Sequence, residues 1–251
     1  MNLLLFEKSE LRDTRLELDG DDRRARHVVE VLRADPGDFL RVGMIDGPMG
    51  RGRVIRAARD AVTLEVALEE AGPEPGGITL ILALPRPIML QRILKQATVM
   101  GVKNFHLIRS ARVQKSYFQS SVLEEDAVRS ILLQGLEQTV DTRLPRVAVH
   151  PRFRPFVEDV VPGLQGTARL VAHPDGGATL AEIHGSGGPG EDFILAVGPE
   201  GGWNDFEVDA FRKQGFLPFS AGSRILHVDT AVLVLLAQLQ LLAELSGGEN
   251  T

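Results

Sequence analysis

Three stretches of the chain put chemically capable residues at what read as the carboxyl ends of β-strands, where open parallel sheets bind ligands. The first is Leu170-Val171-Ala172-His173-Pro174. The second is Phe193-Ile194-Leu195-Ala196-Val197-Gly198-Pro199-Glu200-Gly201-Gly202, followed by Trp203 and a helix. The third is Phe219-Ser220-Ala221-Gly222-Ser223-Arg224-Ile225-Leu226-His227-Val228-Asp229-Thr230-Ala231, again followed by a helix. Glycines in the second stretch let backbone N–H and C=O groups approach a ligand closely. The helix N-terminus beyond them favours an anionic group, with Asn204 or Asp205 as its cap. A Gly-Pro turn also joins strand to helix where no ligand binds. In the third stretch the apolar pair Ile225-Leu226 sits in a loop and needs cover, from the core, from a partner chain or from an adenine ring.

Several chemistries are excluded or disfavoured. The chain has no cysteine, so neither a disulfide framework nor a thiolate metal site is available. Its six histidines are scattered without metal-ligand spacing, and no metal is expected. His173 and His227 alone sit at strand ends, where each reads first as a hydrogen-bonded structural residue. No Gly-x-x-x-x-Gly-Lys-Ser/Thr occurs, hence no P-loop. Gly185-Ser186-Gly187-Gly188-Pro189-Gly190 matches Gly-x-Gly-x-x-Gly, but it precedes a strand and contains a proline, whereas the dinucleotide motif joins a strand to a helix. It reads as a flexible loop.

The elements that must position these stretches fall into two regions. An acidic Pro- and Gly-rich stretch over 69–77 reads as a linker. Before it, a helix near 21–32 and strands over 39–45, 52–58 and 61–68 predict a small β-rich domain. After it, continuous apolar strands alternate with amphipathic helices: strands over 78–84, 104–108, 146–150, 168–173, 193–198 and 217–222, and helices over 87–100, 123–138, 204–214 and 230–245. That alternation predicts an α/β domain with a parallel sheet covered on both faces. The domain boundaries are 1–70, linker 71–77 and 78–251. The most apolar run, 231–245, is interrupted by Gln238, Gln240 and Glu244 and is shorter than the roughly 20 residues of a bilayer span. It predicts a buried or interfacial helix and no membrane association.

Net charge is −6, which weighs against a nucleic-acid partner on average. Its distribution is uneven, with Arg23, Arg24, Arg26, Arg33, Arg41, Arg51, Arg53, Arg56 and Arg59 crowded near the N-terminus among many carboxylates. Composition alone leaves RNA binding open. The lack of cysteine and of an apolar N-terminal leader predicts a cytoplasmic protein.

Val197-Gly198-Pro199-Glu200-Gly201-Gly202, a helix, and then Arg224-Ile225-Leu226-x-x-x-Thr230-Ala231 together resemble the RsmE family of RNA methyltransferases, of the SPOUT class. Other segments agree: His27-x-x-x-Val31-Leu32-Arg33, Pro36-Gly37-Asp38, Asp46-Gly47, Glu137-Gln138, Arg143-Leu144-Pro145 and Leu170 to Pro174. The resemblance covers nearly the whole chain. It implies a parallel sheet with a C-terminal deep trefoil knot, a rare exception among folds, and an N-terminal PUA-like β-barrel. The family usually has Arg and Glu where this chain has His227 and Asp229. It has Lys at Arg86, and Glu-Leu-Gly at Val99-Met100-Gly101.

By that resemblance the activity is S-adenosylmethionine-dependent methylation of N3 of a uridine in 16S ribosomal RNA of the small subunit. Cofactor-binding positions would be Leu170, Ala172, His173, Val197, Gly198, Pro199, Glu200, Gly201, Gly202, Ala221, Gly222, Ser223, Ile225 and Leu226, with Ile225 and Leu226 walling the adenine. N3 of uracil must lose a proton. Arg224 would stabilise the developing oxyanion, His227 would serve as base, and Asp229 would orient His227 or else cap the last helix. Arg24 and Arg33, with Arg92 and Lys95, would contact the RNA. The last helix would form a homodimer. Two other readings compete: a SPOUT methyltransferase with a different rRNA or tRNA target, which His227 and Asp229 motivate, and a protein that binds cofactor and RNA without turnover.

Overall fold

The structure, a computed structural model, describes residues 1–69, 77–166, 168–185 and 192–248. Most of the linker expected over 71–77 and most of the 185–190 glycine loop lie outside the described residues. The chain divides into two compact units. One is Met1–Glu74 with Leu133–Leu144; the other is Pro75–Leu132 with Pro145–Thr251.

In the N-terminal unit the strands are β1 (Leu4–Phe6), β2 (Leu11–Arg12), β3 (Arg15–Asp19), β4 (Phe39–Met44), β5 (Met49–Ala57) and β6 (Ala61–Leu68). They form one sheet in the order β1-β4-β5-β6-β3-β2, antiparallel except for β1 beside β4. Asp22 caps helix α1 (Arg23–Arg26) by accepting from the Arg24 N–H, and α1 runs on as a wider helical turn, His27–Leu32. The expected helix and strands are present, and three short strands join them. Strand β3 alternates exposed and buried, and Leu16 and Leu18 enter the same core as Phe6, Val28, Val42 and Leu64.

The boundary differs from the single cut expected near residue 70, because a segment from mid-chain belongs to this unit. Leu136 and Leu133 pack on Leu3 and Leu5. The Glu137 carbonyl accepts from the N–H groups of Asn2 and Leu3, and its carboxylate receives both Arg23 nitrogens, at 2.6 and 2.8 Å. Thr142 donates to the Gly47 carbonyl, and Leu144 N–H to Asp46. Residues that a sequence pattern assigns to the large domain are therefore held by long-range polar contacts.

The C-terminal unit is built on a seven-stranded parallel sheet. Its strands are β7 (Ile78–Ala83), β8 (Val102–Ile108), β9 (Arg146–His150), β10 (Ala168–Ala172), β11 (Ala178–Thr179), β12 (Phe193–Val197) and β13 (Leu217–Ser220), in the order β11-β13-β10-β12-β7-β8-β9. Strands β7 and β12 are buried at every residue, as their continuous apolar runs require. The helices are α2 (Pro87–Val99), α3 (Glu125–Thr139, of which the part from Leu133 belongs to the N-terminal unit), α4 (Phe153–Pro155, continuing through Val160), α5 (Leu180–Gly185), α6 (Asp205–Lys213) and α7 (Val228–Gly248). Pro87 opens α2 at a position where its missing N–H costs nothing. Helix α7 is longer than the apolar run that marks it. Over Val228–Leu245, with mean hydropathy 1.7, it is long and apolar enough by length and composition to cross a membrane. Val232, Leu235, Leu236, Leu239 and Leu242 nevertheless bury one stripe of it, and it packs on α2 and β12. Gln240 ties it to the Met100 carbonyl at 2.7 Å.

Candidate active site

Strands β13, β10 and β12 are neighbours and parallel, so the loops leaving their carboxyl ends emerge side by side. Those loops are the three stretches singled out in the sequence. Together with the start of α7 they enclose a cavity of about 540 Å³, within the range of small-molecule sites.

The β10 loop is pinned to β13: His173 N–H donates to the Phe219 carbonyl at 2.9 Å, and His173 Nδ1 accepts from Asp175 N–H at 3.1 Å. His173 is thus a hydrogen-bonded loop residue. A Cβ on Gly176 would come within 2.3 Å of the Phe219 backbone, so only glycine permits this approach. The β12 loop turns through a Gly202 N–H to Pro199 carbonyl bond, with Gly202 at φ +72°. Asn204 and Glu207 then form a capping box on α6. At this helix start, where the sequence favours an anion, the capping box already satisfies two donors, the N–H groups of Asn204 and of the 2 %-exposed Glu207. Glu207 also accepts from the Ala111 N–H, at 2.7 Å. In the β13 loop the Ser220 hydroxyl bonds both backbone groups of Gly222, which sits at φ +121°.

Nearly all the expected cofactor positions line this cavity: Ala172, His173, Val197 to Gly202, Ala221 to Ser223, Ile225 and Leu226. Leu170 does not. It lies within β10, 1 % exposed between β12 and β13, two residues short of the strand end. Arg224 lines the cavity and is exposed, with no carboxylate paired to it among the described residues. His227 is exposed and outside the lining. Asp229 accepts from its own neighbour, Thr230 N–H, at 3.0 Å in the first turn of α7, and no hydrogen bond joins it to His227. The Asp229 carboxylate is therefore engaged in the first turn of its own helix and not on the His227 ring. Arg24, expected to meet RNA, is 15 % exposed in its side chain. Its guanidinium is held by Glu10, Asp22 and the Leu5 carbonyl. That leaves no Arg24 donor directed outward.

Two participants had no sequence signal strong enough to single them out. Trp203, the one tryptophan, is 3 % exposed in the cavity wall, and its indole N–H has no partner. It packs within 3.2 Å of where a Gly198 Cβ would stand. Arg112, beyond the end of β8, donates to the Gly201 carbonyl and so braces the glycine turn from outside. Ile225, 91 % exposed on the rim, is an apolar side chain left for a ligand to cover. Apolar walls, four lining glycines that leave a ligand room to approach and an unpartnered buried N–H suit a nucleoside better than a phosphate.

A family model described as an RNA methyltransferase domain matches residues 72–240. The ribosomal RNA small subunit methyltransferase E of Treponema pallidum is 29% identical over 234 residues, covering 92% of this chain and 87% of that protein. The protein of that name from Synechocystis is 31% identical over 219 residues, covering 87% and 71%. The crystal structure of the Neisseria gonorrhoeae protein of that name, bound to S-adenosyl methionine, superposes with a TM-score of 0.74 at 22% identity over 96% of this chain and 98% of that one. At that identity the superposition speaks for the fold. With the family model and the relatives it agrees on one assignment: this chain belongs to the RNA methyltransferase domain family, as a member of the ribosomal RNA small subunit methyltransferase E group.

Proposed function

We propose that the chain transfers a methyl group from S-adenosylmethionine to N3 of a uridine in 16S ribosomal RNA of the small subunit. The observation that carries the reading is the convergence of three strand-end loops on one cavity whose free features are apolar walls, glycine backbone and the Trp203 N–H. When bound there, the cofactor supplies an electrophilic methyl group. Val197 to Gly202 and Ser220 to Leu226 would hold adenine and ribose through backbone groups, with Ile225 as an adenine wall. The order β13-β10-β12, with the β13 loop passing back to α7 beside the β12 turn, supports the trefoil knot that the family resemblance implies. The six-stranded sheet with its helix supports a PUA-like N-terminal domain.

Neutral uridine carries a proton on N3, and its loss places negative charge on the flanking carbonyl oxygens. Arg224, permanently cationic and on the cavity rim, stabilises that charge as it forms. His227, three residues on and exposed outside the cavity lining, is the base we assign to take the proton. The uridine leaves any stack to reach the site. Arg33 and Arg92, both exposed, and Lys95 contribute phosphate contacts. Helix α7 presents Ala237, Leu241 and Leu245 to solvent at helical spacing, which supports a homodimer through this face. The test is methyl transfer from labelled cofactor to small subunits carrying unmodified RNA, with the product nucleoside identified. N3-methyluridine is the expected product. A different methylated nucleoside replaces the target, and cofactor binding without transfer replaces the activity.

A further inference from the structure

A fourth strand end acts on the cavity without lining it. Strand β8 stops at Ile108, and none of the residues just after it is in the cavity wall. Their path is nevertheless fixed. Arg109 N–H donates to the His150 carbonyl at 3.0 Å, Val113 N–H closes a turn on the Ser110 carbonyl at 3.1 Å, and the Val113 side chain is buried. Two groups of this loop reach the connection between β12 and α6. Ala111 N–H donates to the Glu207 carboxylate of the capping box, and the Arg112 guanidinium donates to the Gly201 carbonyl. One loop thus holds both the glycine turn and the helix that follows it.

The fit at the turn is close. A Cβ on Gly201 would stand 3.0 Å from Arg112 Cδ, so the stem of Arg112 lies against this glycine while its guanidinium holds the carbonyl. Gly201 is not at positive φ, so the neighbour and not the backbone angle excludes a larger residue there. The carbonyl of Gly201 and the N–H of Gly202 belong to one planar peptide. Its N–H end is bonded to the Pro199 carbonyl at 2.8 Å, and its carbonyl end to Arg112. Two successive glycines otherwise leave the backbone wide freedom to rotate. Without Arg112 this peptide would keep a single hydrogen bond among the described residues.

We infer that Arg112 is a positioning residue for the cofactor, holding the Gly201–Gly202 peptide in the orientation that shapes the cavity wall before the ligand arrives. The inference rests on the cofactor reading given above; the clamp on the turn does not. With Arg112 removed, the turn spreads over several orientations and the cofactor binds only the fraction that is competent, so its apparent affinity falls by that fraction. Once bound, the cofactor itself restores the orientation, and the rate at saturation is kept. Arg112 therefore differs from Arg224, whose open donors address the reacting base and bear on turnover instead.

The experiment titrates the full-length protein with S-adenosylmethionine by calorimetry, and follows methyl transfer to small subunits against cofactor concentration. Arg112→Ala raises the dissociation constant and the cofactor KM about tenfold, while kcat stays within about twofold of the unsubstituted protein. Arg112→Lys keeps a donor on a flexible stem and recovers most of the affinity. Gly201→Ala, whose methyl group displaces the Arg112 stem, weakens binding by itself and costs less in the Arg112→Ala background, because the two substitutions break one contact. A purely structural arginine would lower thermal stability and leave this split between KM and kcat unseen. Unchanged cofactor affinity in both Arg112→Ala and Gly201→Ala overturns the role, as does a fall in kcat at unchanged KM. If the unsubstituted protein binds the cofactor and the variants bind it equally well, only the role of Arg112 is lost. If the unsubstituted protein binds no S-adenosylmethionine, the cofactor reading falls, and the role with it.

Discussion

Arginine does different work in the polar network around Arg24 and around the cavity of the C-terminal unit. In the N-terminal unit Arg23, Arg24, Arg53 and Arg56 are each tied to a carboxylate, and the Arg24 cluster joins Glu10, Asp22 and the Leu5 carbonyl in a part-buried network. Around the cavity of the C-terminal unit, Arg112 addresses a backbone carbonyl and Arg224 has no partner among the described residues. A guanidinium is a cation wherever it stands, so charge does not tell them apart. The difference is where the donors point. An arginine whose donors are all matched inside the fold stabilises the fold; one whose donors face an opening is available to a substrate. Crowding of arginine along the sequence marks neither role.

The contrast breaks most decisively at Arg224. Arg224→Ala should lower turnover by about 10²- to 10³-fold, the usual cost of removing one donor to a developing oxyanion. Cofactor affinity and thermal stability should stay close to those of the unsubstituted protein, because no contact within the fold is lost. Turnover and binding are separated by single-turnover kinetics and cofactor titration. If turnover is unchanged, Arg224 is no more a reaction-site residue than Arg24 is.

Arg24→Ala tests the other side. It strips Glu10 and Asp22 of their shared cation while both remain partly buried, at a cost of about 2–3 kcal/mol. Denaturant unfolding, with hydrogen exchange followed on β1 and α1, should register the loss. The salt dependence of RNA binding should not change, since Arg24 directs no donor outward. A reduced salt slope without destabilisation would reverse the assignment.

What the sequence disclosed follows the same line. The glycine turn at 198–202 was legible because it works through backbone geometry that composition encodes. Ile225 was legible because an apolar residue in a loop demands cover. The large sheet was legible because β7 and β12 are uniformly apolar. Arg24 was misread because its partner Glu10 lies fourteen residues away and only folding shows the two together. Leu170 was misplaced because a strand-end pattern does not say where the strand stops. The transfer of residues 133–144 to the N-terminal unit depends on Leu136 meeting Leu3 and Leu5, a long-range contact with no local signature. Trp203 carries no such signature either, because folding alone puts it in the cavity wall with its N–H unpartnered.

The smallest effect is the one that separates the two units by acidity. In the C-terminal unit His106 on β8 and His150 on β9 lie with ring nitrogens 3.0 Å apart, stacked on each other and packed against Phe156. Burial, and after it the neighbouring His150, pushes His106 down to about 4, and burial lowers His150. Both pKa values are depressed in the folded chain. Below the ordinary histidine value of 6.5 the unfolded chain therefore takes up protons that the folded chain refuses. Stability of this unit should decline as pH falls from about 6.5 toward 4. In the N-terminal unit the side-chain hydrogen bond from Arg24 lowers Glu10, and hydrogen bonds from Arg24 outweigh burial to lower Asp22. Their stabilisation is complete above the ordinary carboxylate values of 4.5 and 3.8 and disappears only as pH falls through the lower folded values. The two units should thus weaken in successive windows. Trp203, the single tryptophan, reports on the C-terminal unit alone, and hydrogen exchange on β1 and α1 reports on the other. His106→Gln should flatten the Trp203 unfolding profile between pH 6.5 and 4 and leave the N-terminal profile unchanged. A single coincident acid transition, unmoved by His106→Gln, would mean that the histidine pair contributes nothing to the pH response and that the two units unfold as one.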